Sequence, residues 1–413
     1  MQATGKPHSK TTKSKKSGSK ANKKPTTSSV KPTTPTTPVD PSVIPPEIKE
    51  PTETLSTMYK DEKCFPEGEN MQYTQEWNLQ RFTSAEARER ERALIDIEDY
   101  RKAAAIHKSV RQWAQQWIKP GMSDLFVAEN IERKVREECE VDGVNTTERG
   151  MAFPCGLSVN SCAAHFTPNP NDPLSFYKTD DVVKIDFGVH VNGHLIDSAF
   201  TMTWDPTLQP ILDCAKDATN TGIKNIGVDV RLCDIGDAIE EVMNSYEVEI
   251  KGKTYQLQPV RNLSGHMVGS YAVHAGKSIP ICKGGPQTKM EEGEVYALET
   301  FATTGRGRVD DSGPASHYMV DANAFDYPVR DGNAKRLLRA LDANFKTLAF
   351  CRRYVDKIGF AKWQMPFKFL VDDGCVNPYP PLSDCHGSYV AQFEHTIYLK
   401  PTCKEVLSRS FDY

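Results

Sequence analysis

The dipeptide Asn192-Gly193, flanked by β-branched and aromatic residues, constrains the fold more than any other feature of this sequence. Both central positions of a two-residue type I′ turn need φ > 0, and Asn-Gly meets that demand at least cost. Folding Val182–Thr203 about it pairs Val191 with His194, Val189 with Ile196, Gly188 with Asp197 and Asp186 with Ala199. Asp186 then stands two residues before the partner of Asp197. It shares a face with Asp197, at a diagonal backbone separation of roughly 7–8 Å. Two carboxylates projecting from that spacing can converge on a pair of cations about 3.5–4 Å apart. The opposite face carries Ile185, Phe187, Val189, Ile196 and Phe200, so one side of the hairpin is apolar and the other acidic. Taken alone, the pattern also fits a surface hairpin whose Asp side chains face water. Leu195 and Ala199 on the acid-bearing face favour partial burial, where an uncompensated charge is costly.

Three more residues of metal-ligating type lie in apolar, strand-like contexts. Glu299 follows Val295-Tyr296-Ala297-Leu298, Glu394 lies between Phe393 and Ile397, and His266 follows Gly265. Singly, each has a structural explanation: a strand Glu at an edge, or a core His satisfying a backbone group. Together with the two Asp they read differently, because buried carboxylates repel one another unless cations neutralise them. Carboxylates with one imidazole suit Mn, Fe, Co or Zn rather than a thiolate-bound soft metal.

The 413-residue chain is longer than a typical single core, so one large subdivided domain or two domains are expected. Its first residues are a different kind of polymer. Residues 1–40 hold nine Lys and one Asp; given the chain total of −4, this surplus of +8 leaves −12 for residues 41–413. Residues 25–46 are Pro/Thr-rich, and residues 1–55 are read as a disordered arm, because neither the Lys-rich nor the Pro/Thr-rich stretch buries enough to offset chain entropy. A basic arm on an acidic body suits a polyanion such as RNA or a ribosome surface; a solubilising tail is the alternative. The N-terminal residues lack the apolar core of a secretory signal and no run reaches membrane-spanning length, so no membrane partner is expected. The eleven Cys are odd in number and form no C-x-x-C pair, which points to a reducing cytoplasm.

Thr83 and Glu86 form a capping box that opens a long charged helix ending at Lys119-Pro120-Gly121. Further helices are predicted over Ser123–Glu140, after Asp205-Pro206, over Cys233–Ser245 and over Asn333–Ile358. Strands are predicted in 262–276, 294–303 and 388–400. The order suggests an α+β fold whose sheet carries polar residues on its inner face.

At this point five runs, AFPCGLSVNSCAAHFTPNP, IDFGVHVNGHLIDSAFT, NLSGHMVGSYAVHAGKSIP, MEEGEVYALETFATTGRG and PYPPLSDCHGSYVAQFEHTIYLKP, together resemble the type 2 methionine aminopeptidases. The likeness spans about residues 80–413. It implies the pita-bread fold, an antiparallel sheet flanked by helices in two pseudo-twofold halves, with a helical insertion at about 318–376 in a catalytic domain of 56–413. It implies removal of the initiator methionine from nascent polypeptides, with a small second residue preferred, by hydrolysis with water activated between two divalent ions (Mn, Co, Fe or Zn). The family's ligands fall on Asp186, Asp197, His266, Glu299 and Glu394, with Asp197 and Glu394 bridging. Glu299 matches the proton shuttle, His274 a substrate contact, and His165 the histidine that fumagillin-type inhibitors alkylate. Phe153, Val273, His317, Tyr379 and Leu382 match the methionine pocket, joined by His165 and His274, whereas His190, His194 and His395 match no ligand and are read as structural. Two rivals stand beside this reading. Prolidase or aminopeptidase P relatives share the ligands but not the HFTPNP and FEHTIYL contexts; a non-catalytic ribosome-binding relative would be expected to lose ligands.

Overall fold

The computed structural model describes residues 42–60, 67–94 and 97–413. In chain order, the elements that frame the site begin with helices α1 (Ser84–Arg92), α2 (Ile97–Trp117) and α3 (Asp124–Glu138). Strand β1 (Arg149–Val159) and the hairpin β2 (Val182–Val191) and β3 (His194–Thr203) follow, then α4 (Gln209–Asn225) and α5 (Leu232–Met243). Next come β4 (Ser264–Val268), β5 (Val295–Thr303) and β6 (His317–Val320), helices α6 (Gly332–Phe345), α7 (Arg352–Ile358) and α8 (Gln364–Asp372), then β7 (Val376–Tyr379), β8 (Val390–Leu399) and β9 (Cys403–Val406).

The longer strands form two antiparallel blocks, while β6 and β7 pair with each other and further short sheets stand apart. One block has the order β1-β2-β3, the other β9-β8-β5-β4, with short strands extending both of its edges. Each block lies against helices. Helix α2 packs on the hairpin, where His107 Nε2 lies 2.9 Å from the Phe187 carbonyl and 3.1 Å from that of Ser198. Helix α4 packs on β5 and β8, where Thr219 Oγ1 donates to the Phe393 carbonyl at 3.0 Å. The hairpin reproduces every pairing derived from Asn192-Gly193, with φ of 51° and 81° at the two turn residues.

The blocks meet where β3 runs beside β8, and no backbone ladder joins them. Hydroxyls do so instead. Thr396 Oγ1 accepts from Asp197 N at 2.9 Å and donates to Asp197 O at 2.7 Å. Thr201 Oγ1 makes the same reciprocal pair with Gln392, at 2.8 and 2.6 Å, and Ser198 Oγ donates to Glu394 O at 2.8 Å. A hydroxyl interposed between two backbones holds them wider apart than a direct ladder does, so the seam satisfies its polar groups while leaving room in front of it.

Four expectations are corrected. The single charged helix from Thr83 is two: α1 ends near Ala93 and α2 starts at Ile97. Helix α1 buries none of its residues, whereas α2 buries Ala103, Ala104, Ile106, Val110, Trp113, Ala114 and Trp117, so packing sustains only the second. Thr83 does cap α1, accepting from Glu86 N. The predicted Asn333–Ile358 helix is also two, because Tyr318 and Phe350 exchange backbone hydrogen bonds at 2.8 Å and pull the chain onto β6. The strand foreseen in 262–276 is confined to β4; beyond it the chain turns through Tyr271 at φ 53°. Finally, residues 42–55, assigned to the arm, belong to the body: Leu55 is buried, Ile44 and Ile48 pack on the core, and Glu50 pairs with Arg133 at 2.6 Å. Pro/Thr richness masks these few apolar anchors in a composition count. The rest of the arm, residues 1–41, lies outside the described residues.

Candidate metal centre

Asp186 and Asp197 project from the hairpin on the face predicted by its register. Glu299 and Glu394 are direct cross-strand partners in β5 and β8, and His266 sits in β4 opposite Ala297. All five line one cavity at the seam. His266 Nε2 lies 3.5 Å from Asp197 Oδ2, and ligand atoms of Asp197, His266 and Glu394 lie within 4.8 Å of one another. Asp197, His266 and Glu394 are buried, and Asp186 and Glu299 half-buried.

Burial raises the pKa of every one of these carboxyls. Asp186 is pushed up to about 6 by desolvation, eased by a hydrogen bond from Gln392. Asp197, Glu299 and Glu394 rise well above the usual carboxylate range, through desolvation first and then mutual repulsion. His266 is held far below its ordinary value by burial and by the nearby His274. Asp186 Oδ1 and Glu394 Oε2 are buried with no hydrogen-bond partner among the described residues. Crowded, desolvated carboxylates with orphaned oxygens and a neutral imidazole are a donor set suited to divalent cations, so these residues fit the metal pair that the resemblance implies.

Apolar groups wall the rest of the cavity. Of the expected pocket residues, Phe153, His165, Val273, His274, His317 and Tyr379 line it, together with Leu263, Phe301, Met319 and Ala349. Leu382 is not among the lining residues; it pairs with Ala164 in a short neighbouring sheet. Gly188 admits the Phe153 ring, since a Cβ there would fall 2.3 Å from Phe153 Cε1. His165 has φ 64°, a sparsely populated conformation for a residue with a Cβ. Its carbonyl accepts from Ser316 Oγ and faces His317 Nδ1 at 3.1 Å, which over-determines that backbone. His165 is pushed down to about 3 by burial, with His317 and His274 adding to the shift. His274 is exposed, its ring edge-on to His266 at 4.1 Å.

The three remaining histidines stand apart. His395 points away from the site, its Nδ1 2.8 Å from Ser408 Oγ. His190 is buried near Tyr271, and His194 packs on Tyr100 beyond the turn. None lines the cavity. Gln392 and Phe301 were missed, although period 2 on β8 and β5 places each on the same face as Glu394 and Glu299.

The profile of metallopeptidase family M24 matches residues 98–400. The chain belongs to metallopeptidase family M24. It is 51% identical over 353 residues to "Methionine aminopeptidase 2-2" of Pyrenophora tritici-repentis, covering 84% of this chain and 78% of that relative. It is 50% identical over 350 residues to "Methionine aminopeptidase 2A" of Arabidopsis thaliana, with the same coverage of 84% and 78%. Among solved structures it matches that of a thermophilic Arx1 with a TM-score of 0.62 at 16% identity, over 76% of this chain and 91% of that one. At that identity the likeness speaks to the fold, and the M24 pita-bread architecture agrees with the two strand blocks and their helices.

Proposed function

We propose that this M24 enzyme is a methionyl aminopeptidase that removes the initiator methionine from nascent proteins and peptides, preferring a small second residue. The observation that carries this is the convergence of Asp186, Asp197, His266, Glu299 and Glu394 at one side of an apolar-walled cavity. Methionine aminopeptidases about half identical to this chain support it.

Asp197 and Glu394 would hold both ions, Asp186 one, and His266 with Glu299 the other. Two divalent ions bound there, whether Mn, Co, Fe or Zn, supply a water of lowered pKa and polarise the scissile carbonyl. Glu299 receives the proton and returns it to the leaving amine. The substrate's free α-amine would also bind the ions held there, which accounts for removal of a single residue from the N-terminus. Phe153, Val273, Tyr379 and His317 receive the unbranched thioether side chain, and His274 contacts the substrate backbone. His165 is neutral at pH 7, so its imidazole lone pair is free to attack an epoxide of the fumagillin type.

No described helix is long and apolar enough to cross a membrane, and the scattered thiols suit the cytoplasm. The Lys-rich arm suits a ribosome or RNA, where nascent substrates emerge. The deciding assay is release of Met from Met-Ala-Ser, with and without chelator. Metal-dependent release is expected. Cleavage of Xaa-Pro dipeptides instead, or no hydrolysis of either substrate, would overturn the assignment.

A further inference from the structure

Gln392 is fully buried on β8, two residues before Glu394, and turns its side chain to the same face. Its Nε2 donates to Asp186 Oδ2 at 3.2 Å and to Glu299 Oε2 at 2.9 Å. No other described side chain is hydrogen-bonded to both. Because both neighbours are carboxylate oxygens, the amide has one favourable orientation, nitrogen toward them. Its backbone is fixed as well: Thr201 Oγ1 accepts from Gln392 N and donates to Gln392 O. Gln392 therefore joins the hairpin to β5 across the seam through a short, doubly anchored link.

The choice of residue follows from charge. A carboxylate here would add a fifth anion to four that already crowd one another. An aliphatic side chain would leave Asp186 and Glu299 facing each other with no donor between them. A primary amide provides two N–H groups without charge. It occupies Asp186 Oδ2 and leaves Oδ1, which has no hydrogen-bond partner among the described residues, as the atom free to meet a cation.

We infer that Gln392 is a positioning residue for the metal pair: it sets the spacing between Asp186 and Glu299 and fixes which oxygen of Asp186 is presented. The inference rests on the proposed assignment of these two carboxylates to different ions. Outer partners of this kind typically change metal affinity by about 10–100-fold.

The test uses the full chain, titrated with Co²⁺ alone by calorimetry and by visible absorption, whose d–d bands report ligand geometry. Gln392→Met keeps length and volume but removes the N–H groups. It should weaken Co²⁺ binding by about 10–100-fold and alter the absorption bands, while two ions still bind at high concentration. Gln392→Glu, which keeps the shape but adds charge and removes the donors, should not rescue the bands. If Gln392→Met instead binds Co²⁺ with wild-type affinity and an unchanged spectrum, the positioning role is wrong. A Gln392→Met chain that loses only thermal stability, with both metal readouts intact, overturns it equally. If the wild-type chain fails to bind two Co²⁺ ions, the metal-pair assignment itself falls, an outcome visible before any variant is made.

Discussion

The hairpin and the β5–β8 pair each present two carboxylates to the seam, but by opposite means. In the hairpin, Asp186 and Asp197 are offset by two residues, so Gly188 and Ala199 are their direct partners and the charges stay on a diagonal. In β5–β8, Glu299 and Glu394 stand directly opposite one another, an arrangement that destabilises a sheet when nothing lies between the charges. By register alone the hairpin could carry its acids on a solvated face, whereas the β5–β8 pair must hold a proton or a cation between its charges. The longer-range pair is thus the more diagnostic of the two, and the more dependent on metal.

The sharpest test of this contrast replaces one bridging candidate from each side. Asp197→Asn and Glu394→Gln should each remove Met release altogether and lower bound metal below two ions per chain, measured by elemental analysis. Near-normal turnover of either variant with two ions bound would remove that residue from the site.

A second test uses proton linkage. Desolvation pushes Asp186 up to about 6 and lifts the other three carboxyls well above their ordinary range, so at pH 5 the cluster retains protons that a cation must displace. Apparent divalent-ion affinity should therefore rise from pH 5 to pH 7.5. Calorimetry in two buffers of different ionisation enthalpy should show proton release on binding; no release would mean the carboxyls are already ionised. For stability the sign follows the same protons. These groups bind more protons folded than unfolded, so without metal their contribution declines as pH rises from about 4 through their raised values, and added metal should restore it.

The seam gives a smaller effect. Thr396→Val removes the hydroxyl that satisfies both backbone groups of Asp197 and should cost about 1–3 kcal/mol in chemical denaturation. A neutral result would show that water or a strand shift replaces the hydroxyl. A change of similar size is expected from Gly188→Ala, whose methyl collides with the Phe153 ring. It should lose about 1–3 kcal/mol of stability and raise KM for a Met substrate more than it changes kcat. An unchanged KM would separate the hairpin from the shape of the side-chain pocket.

The same contrast explains what the sequence made legible. The hairpin could be read to the residue because turn, register and alternation lie within Val182–Thr203. Glu299 and Glu394 looked unremarkable singly; read together with the two Asp they became ligand candidates, but their pairing is set by tertiary contacts across an intervening helical stretch, and the family resemblance fixed their roles. Gln392 escaped notice because an amide carries no ligand signature, although its place two residues before Glu394 put it on the site face. Helix boundaries failed where packing, or its lack, outweighed propensity: at α1, which buries none of its residues, and at Phe350, captured by β6. Leu382, matched to the pocket by its motif, pairs across a short sheet with Ala164, itself a lining residue, so it stands next to the cavity.

The seam also fixes an order of events during synthesis. Glu394 belongs to β8, after every other member of the cluster in the chain, and it is also what Ser198 of the hairpin grips through its carbonyl. A growing polypeptide that has not yet emerged past that strand offers at most four of the five groups and an unclosed edge beside Asp197. The centre is therefore completed only when β8 joins the hairpin and brings the last of its five groups.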